Sequence, residues 1–184
     1  WIKPGAKVLD LGCGEGDLLV YLMEQKQVRG SGIERDELKV ARCIEKGLSV
    51  LQGDINKEVY DYAAESYDYV ILSQTLQQVY EPDRLIRAML DIGGKGIVSF
   101  PNFSHWRVRL QLLTTGHAPV TRQLPYQWYD TPNIHFCTVR DFEALCREKG
   151  IKILARDMVG NTNRQPLLAT VWPNLFALTA IYHI

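Results

Sequence analysis

Nowhere in these 184 residues does an apolar run approach the roughly 20 residues that a membrane-spanning helix needs, and no secretory signal is visible at the front. An excess of charge is missing too: 21 Lys and Arg balance 21 Asp and Glu, so neither nucleic acid nor an anionic membrane has a general electrostatic claim on the chain. The Arg107-Val108-Arg109 pair is too small a basic patch to alter that. Cysteine is scarce, and Cys13, Cys43, Cys137 and Cys146 form no C-x-x-C pair, which fits a reducing compartment and supplies no zinc site. The expectation is a cytoplasmic protein with no nucleic-acid, membrane or metal partner. An initiating Met is also absent. Trp1-Ile2-Lys3-Pro4-Gly5 leads directly into a strand pattern, so an N-terminal helix is expected ahead of the numbered residues.

With 46% hydrophobic and 23% charged residues, the chain reads as one globular domain over 1–184 with material for one substantial core. Helical patterns at about 17–26, 36–46, 83–91 and 139–149 alternate with strand patterns at about 7–11, 30–34, 48–51, 67–73, 95–100, 151–158 and 175–182. That alternation predicts an α/β, Rossmann-like doubly wound sheet of seven strands. Thr138 and Asp141 form a capping signal for the helix carrying Phe142, Leu145 and Cys146, and Gly150 closes it. The last two strand patterns show no helix between them and are expected to form a C-terminal antiparallel hairpin.

The densest signal is Val8-Leu9-Asp10-Leu11-Gly12-Cys13-Gly14-Glu15-Gly16-Asp17, an apolar strand running into glycines at every second position, followed by helical spacing over Leu18-Leu19-Val20-Tyr21-Leu22. Glycine accepts positive φ without a Cβ penalty, so backbone can press against a ligand at the N-terminus of the next helix. A dinucleotide fingerprint needs its third glycine where Asp17 stands, and the Asp10 carboxylate would repel a bare pyrophosphate. A ligand presenting an ammonium group fits better. Cys13 reads as a small packing residue.

A second anchor follows in Gly30-Ser31-Gly32-Ile33-Glu34, a short strand ending in an acid 20 residues after Gly14, where a carboxylate commonly accepts hydrogen bonds from both ribose hydroxyls. A third is Gln52-Gly53-Asp54-Ile55 after Leu48-Ser49-Val50-Leu51. A fourth strand, Ser66 to Ser73, brings Ser73 and Gln74 to the same edge. Acids at strand ends have a second reading, as solvated groups or helix N-caps, and Asp36 and Asp54 are open to it.

The turn and its spacing resemble the first motif of class I S-adenosylmethionine-dependent methyltransferases. The resemblance implies that Asp10, Gly12, Gly14 and Gly16 hold the methionine moiety of S-adenosyl-L-methionine or S-adenosyl-L-homocysteine. It also implies that Asp54, with Ile55 beside it, faces the adenine amino group, and that the fold ends in an antiparallel strand. Glu15 and Asp17 depart from the pattern by adding two negative charges beside the turn. Several subclasses are set aside. Ser73-Gln74-Thr75-Leu76 is not the polar-Pro-Pro-aromatic motif of nucleic-acid amino methylation, no Pro-Cys nucleophile is present, and no glutamate pair stands ready for a guanidinium.

Between the fifth strand and its helix lies a segment of ~35 residues, about 101–137, rich in aromatics and proline, where a compact fold needs only a few. It leaves the carboxyl edge of the sheet and so reads as an insertion over the cofactor crevice. His105, Tyr126, Tyr129, Asp130 and His135 are candidate bases whose second reading is hydrogen-bonded packing. Trp106 and Trp128 read as loop core, with a lid over the cofactor as the alternative. The runs Val70–Gln77, Ser99-Phe100-Pro101-Asn102-Phe103-Ser104-His105-Trp106-Arg107-Val108-Arg109 and Leu124-Pro125-Tyr126-Gln127-Trp128-Tyr129-Asp130-Thr131-Pro132-Asn133-Ile134-His135 resemble the bacterial methionine biosynthesis MetW family over nearly the whole chain. The resemblance implies a cofactor-binding protein that acts with, or activates, homoserine O-acyltransferase (homoserine O-acetyltransferase). The alternative is an active methyltransferase on an unidentified small molecule, and no catalytic residue is assigned.

Overall fold

A computed structural model describes residues 1–160 and 167–184. The doubly wound sheet is there. Its strands are β1 (Lys7–Leu11), β2 (Arg29–Glu34), β3 (Ser49–Gln52), β4 (Tyr69–Ser73), β5 (Gly96–Pro101), β6 (Ala155–Val159) and β7 (Thr179–His183), in the order β3-β2-β1-β4-β5-β7-β6. β1 to β5 are parallel, and β7 runs antiparallel to both β5 and β6. The central strands read as continuous apolar runs because helices cover both sheet faces. Alternate side chains feed two cores. Val8, Tyr69 and Ile71 join Leu19, Leu22 and Cys43 on one face, while Leu9, Leu11, Val70 and Leu72 join Met89, Phe100, Phe142 and Tyr182 on the other.

The helices over these faces are α1 (Asp17–Lys26), α2 (Glu37–Glu45), α3 (Ile55–Glu58), α4 (Pro82–Gly93), α5 (Trp106–Thr115), α6 (Val139–Glu148), α7 (Leu167–Val171) and α8 (Pro173–Phe176). Asp36 caps α2 through Leu38 and Lys39 N–H, and Thr138 caps α6 through Asp141 N–H. Because β1 has β2 on one side and β4 on the other, the chain reverses its winding there, and the crevice at the carboxyl ends of β1 and β4 is where a ligand is placed by topology.

Two expectations are corrected. The antiparallel pair β6–β7 is present but is no tight hairpin, since α7 and α8 stand between its strands. At five and four residues they are too short to show a helical period, and Pro173 at the start of α8 reads from sequence as a breaker. The insertion, in turn, is not all loop. It opens with the ten-residue helix α5, hidden in the sequence because only Val108 is buried and because its cap is His105 rather than Ser, Thr, Asp or Asn.

Candidate functional site

β1 runs out into a turn in which Gly12, Gly14 and Gly16 all take positive φ, at 74°, 59° and 79°. Each glycine is required for a different reason. A Cβ on Gly12 would meet Thr75 Oγ1 at 2.9 Å, one on Gly16 would run into the Leu48 side chain, and one on Gly14 would meet nothing within 4 Å. Gly14 is therefore the residue whose bare backbone faces open space. The turn is held before any ligand arrives: Gly12 N–H and Cys13 N–H both donate to the Ile33 carbonyl, at 2.8 and 3.1 Å.

Glu34 completes the hold. Its Oε2 accepts Gly14 N–H at 2.9 Å, and its Oε1 accepts Arg35 and Asp36 N–H, each at 2.9 Å. The 20-residue spacing read from sequence thus becomes a direct contact between the ends of β1 and β2. With roughly four acceptor sites on a carboxylate, about one remains for a ligand hydroxyl. Asp10 sits behind the turn, 2% exposed, and its Oδ1 has no hydrogen-bond partner among the described residues. Burial, and then the nearby Glu34 charge, push its carboxyl up to about 7. A buried carboxyl oxygen without a partner is an unmet demand for a donor or cation.

A cavity of about 660 Å³ opens in front of the turn, at the carboxyl ends of β1, β2 and β4. Gly12, Gly14, Glu34, Asp54, Ile55 and Ser73 line it; Asp10 and Gly16 do not. Gly16 is the N-cap of α1. Asp54 has both of its sequence readings at once: it lines the cavity and caps α3, its Oδ1 accepting Asn56 N–H at 3.0 Å and Asn56 Nδ2 at 2.8 Å. Ser73 closes β4 with its hydroxyl 3.2 Å from Ser99 Oγ. Cys13 is buried against the Gly32 position, and its thiol is pushed well up by burial and by Asp10, which fits packing rather than nucleophilic chemistry.

The two extra charges beside the turn point away from it. Glu15 pairs with Arg42 of α2, and Asp17 lies 2.5 Å from Lys46 just beyond it. Sequence reasoning missed the residues that tie the insertion to the cavity. The Gln77 carbonyl accepts Ile134 and His135 N–H at 2.9 and 3.1 Å, so Tyr126, Thr131, Pro132 and Ile134 come to the cavity wall. Gln74, placed at this edge by the sequence, lines the cavity too, with a strained φ of 55°. No local pattern marks such residues, since tertiary contacts bring them there.

Of the candidate bases, only Tyr126 reaches this cavity; His105 is buried beside a different one, and Tyr129, Asp130 and His135 are exposed away from both. The core reading of the insertion's tryptophans is corrected, since Trp128 is 75% exposed and Trp106 37%. Neither ring lines the cavity. Among the described residues no helix is long and apolar enough to cross a membrane, and no group of three or more His, Cys, Asp or Glu is placed to hold a metal ion.

Comparison with known proteins agrees with this geometry. The bifunctional methionine biosynthesis protein MetXA/MetW of Rhodopirellula baltica is 31% identical over 98% of this chain, which spans only 30% of that relative's length. A ubiquinone biosynthesis O-methyltransferase of Stutzerimonas stutzeri is 30% identical, covering 86% of this chain and 68% of that protein. Among solved structures, an S-adenosylmethionine-dependent methyltransferase from Mesorhizobium loti superposes with a TM-score of 0.69 at 19% identity, over 98% of this chain and 90% of that one. A Haloferax volcanii putative methyltransferase, solved in complex with the Trm112 methyltransferase activator, gives 0.65 at 17% identity over 99% and 83%. The sheet is thus that of class I methyltransferases, C-terminal antiparallel strand included. The family described as methionine biosynthesis protein MetW matches residues 1–184, and the chain belongs to it.

Proposed function

We propose that this protein binds S-adenosyl-L-methionine or S-adenosyl-L-homocysteine in the glycine-turn cavity and acts in methionine biosynthesis as a partner of homoserine O-acyltransferase. The observation that carries the first half is the pairing, on one cavity wall, of an open Gly14 backbone with the Glu34 carboxylate at the end of the neighbouring strand. The ribose hydroxyls suit the free acceptor site on Glu34, and the buried Asp10 carboxyl behind the turn adds a negative field that favours a ligand carrying an ammonium group. The residues present therefore fit the group. Gly12 and Gly14 would lie along the methionine moiety with Gly16 holding the turn, Asp54 and Ile55 along the adenine, and Ser73 beside the sulfonium end. When bound, S-adenosylmethionine supplies an electrophilic methyl group. This chain supplies alignment and exclusion of water.

The second half rests on the insertion and on the relatives. The Rhodopirellula protein joins MetXA and MetW in one name, and fusion is one way to hold partners at high effective concentration. Trp106, Tyr126, Trp128 and Tyr129 stand exposed on the insertion beside Arg107, the residue types that anchor protein interfaces. A lone monomer rarely leaves so many aromatics uncovered in one segment. Titrating S-adenosylmethionine into the pure protein, with and without homoserine O-acyltransferase, tests both halves. Binding in both arms, with a change in affinity when the partner is present, is the expected result. No binding in either arm removes the cofactor. Binding that ignores the partner, accompanied by methyl transfer to a small acceptor, favours the enzyme reading.

A further inference from the structure

The insertion does not border one cavity but two. Tyr126 and Thr131–Ile134 stand on the glycine-turn cavity, whereas Thr121, Arg122, Gln123 and the buried Leu124 wall a second one of about 670 Å³. That second cavity lies past the carboxyl end of β5, over Pro101, Asn102 and Leu178, and is bounded by His105, Arg107, Val108 and Gln111 of the α5 region. Its volume is that of a small-molecule site.

The charge on its wall is of one sign. Two arginines and a histidine line it, and no carboxylate does among the described residues. Arg42, Arg84 and Arg156 are neutralised by Glu15, Glu81 and Glu143, all outside this cavity. Arg107 and Arg122 have no ion-pair partner among the described residues, and the Arg107 guanidinium rests 5.3 Å from the centre of the Trp106 ring. The first turn of α5 adds the positive end of a ten-residue helix.

His105 gives the cavity a built donor. It is 2% exposed, and its Nδ1 accepts Arg107 N–H at 3.3 Å as the cap of α5. Burial, then the Arg107 charge, lower its pKa, so the ring is neutral near pH 7. A neutral imidazole that accepts at Nδ1 carries its proton at Nε2, and that N–H has no partner among the described residues. Asn102 fixes the approach. Its Nδ2 donates to the carbonyls of Asn174 and Ala177 at 3.1 and 2.9 Å, and its Oδ1 accepts Ser104 N–H at 3.1 Å, so the loop into α5 is tied to the segment before β7.

We propose that this second cavity binds a small molecule bearing a carboxylate or phosphate group, held by Arg107, Arg122 and His105, independently of the glycine-turn cavity. Two guanidiniums and an imidazole N–H form a donor-only set, which is what an oxyanion needs.

Calorimetric titration of inorganic phosphate and, separately, of succinate into the full chain is the test, with S-adenosylhomocysteine titrated in parallel. Saturable binding of at least one probe is expected, weakened about tenfold or more by Arg107→Gln and by Arg122→Gln, both at exposed positions that leave folding intact by circular dichroism. Arg29→Gln, at the amino end of β2 and outside the cavity wall, is expected to change nothing. Phosphate alone or succinate alone identifies the oxyanion, and either supports the site. The proposal is overturned by the absence of saturable binding of both probes up to ~20 mM, well above typical metabolite-range affinities. It is equally overturned by Arg107 and Arg122 variants that bind like wild type, or by an equal loss with Arg29→Gln. Failure of S-adenosylhomocysteine to bind bears on the glycine-turn cavity alone.

Discussion

The glycine turn and the 102–138 segment share one edge of the sheet and are built on opposite terms. In the turn, side chains are minimal, the backbone is closed on Ile33 and Glu34, and the carboxylates are buried. In the segment, side chains are large, Trp128 and Phe136 are 75% and 79% exposed, and the backbone is tied down near its ends through Asn102 and Gln77. A surface fixed in advance suits a small ligand whose binding cannot bear much ordering entropy, whereas an apolar surface held at its ends suits a large partner that covers it. The difference separates the two halves of the proposed function, which the overall fold, a host of many chemistries, leaves merged.

Breaking the turn has the largest expected effect. Gly16→Val places a β-branched side chain at a φ of 79° and against Leu48, so it should destabilise folding by about 2–5 kcal/mol in urea unfolding. A loss near zero would mean that the turn has slack that the buried packing denies.

Asp10 comes next. Its carboxyl, ordinarily at 3.8, holds its proton up to about 7 in the folded protein. Between those values folding takes up a proton, so this group's contribution is full below pH ~4 and is lost as pH rises through about 7, to the extent of ~4 kcal/mol. Asp10→Asn should be more stable than wild type at pH 8, and the gap should close toward pH 5. Urea unfolding across that range measures it, and a gap independent of pH would remove Asp10 as the titrating group.

Glu34→Ala leaves three backbone N–H groups without their acceptor and removes the proposed ribose contact, so S-adenosylhomocysteine affinity should fall by about 2–4 kcal/mol. Undiminished binding would make Glu34 purely a brace of the turn.

Trp128→Ala sharpens the other side of the comparison. Because the ring is exposed, stability should change by less than ~0.5 kcal/mol while association with homoserine O-acyltransferase weakens by about 2 kcal/mol. A melting temperature and a binding isotherm on the same sample separate the two. If both stay at wild-type values, Trp128 is not an anchor.

What could be read from sequence follows the same division. The Gly12-Gly14-Gly16 turn, Glu34 and the alternation from β1 to β5 were legible because each is a local pattern with a short-range physical cause. Asp54 was legible as two alternatives, and the structure shows that cap and cavity wall are one position. α5, α7 and α8 were not, being weakly amphipathic or too short for a period to show. Nor was the exposure of Trp128, since an aromatic run looks alike whether it covers a core or awaits a partner. Arg122 beside His105 was illegible because residues 17 apart meet only through the path of the insertion.

Whether the glycine turn is a ready ligand site is decided by titrating S-adenosylhomocysteine into wild-type protein and Gly14→Val. A Cβ at Gly14 meets no atom within 4 Å among the described residues, so the new side chain starts into open cavity space, with φ strain of about 1–2 kcal/mol. Saturable binding to wild type and none to the folded variant is the expected result. A wild-type protein that gives neither heat nor a thermal shift at about 1 mM ligand, the weak end of functional affinities, would contradict it.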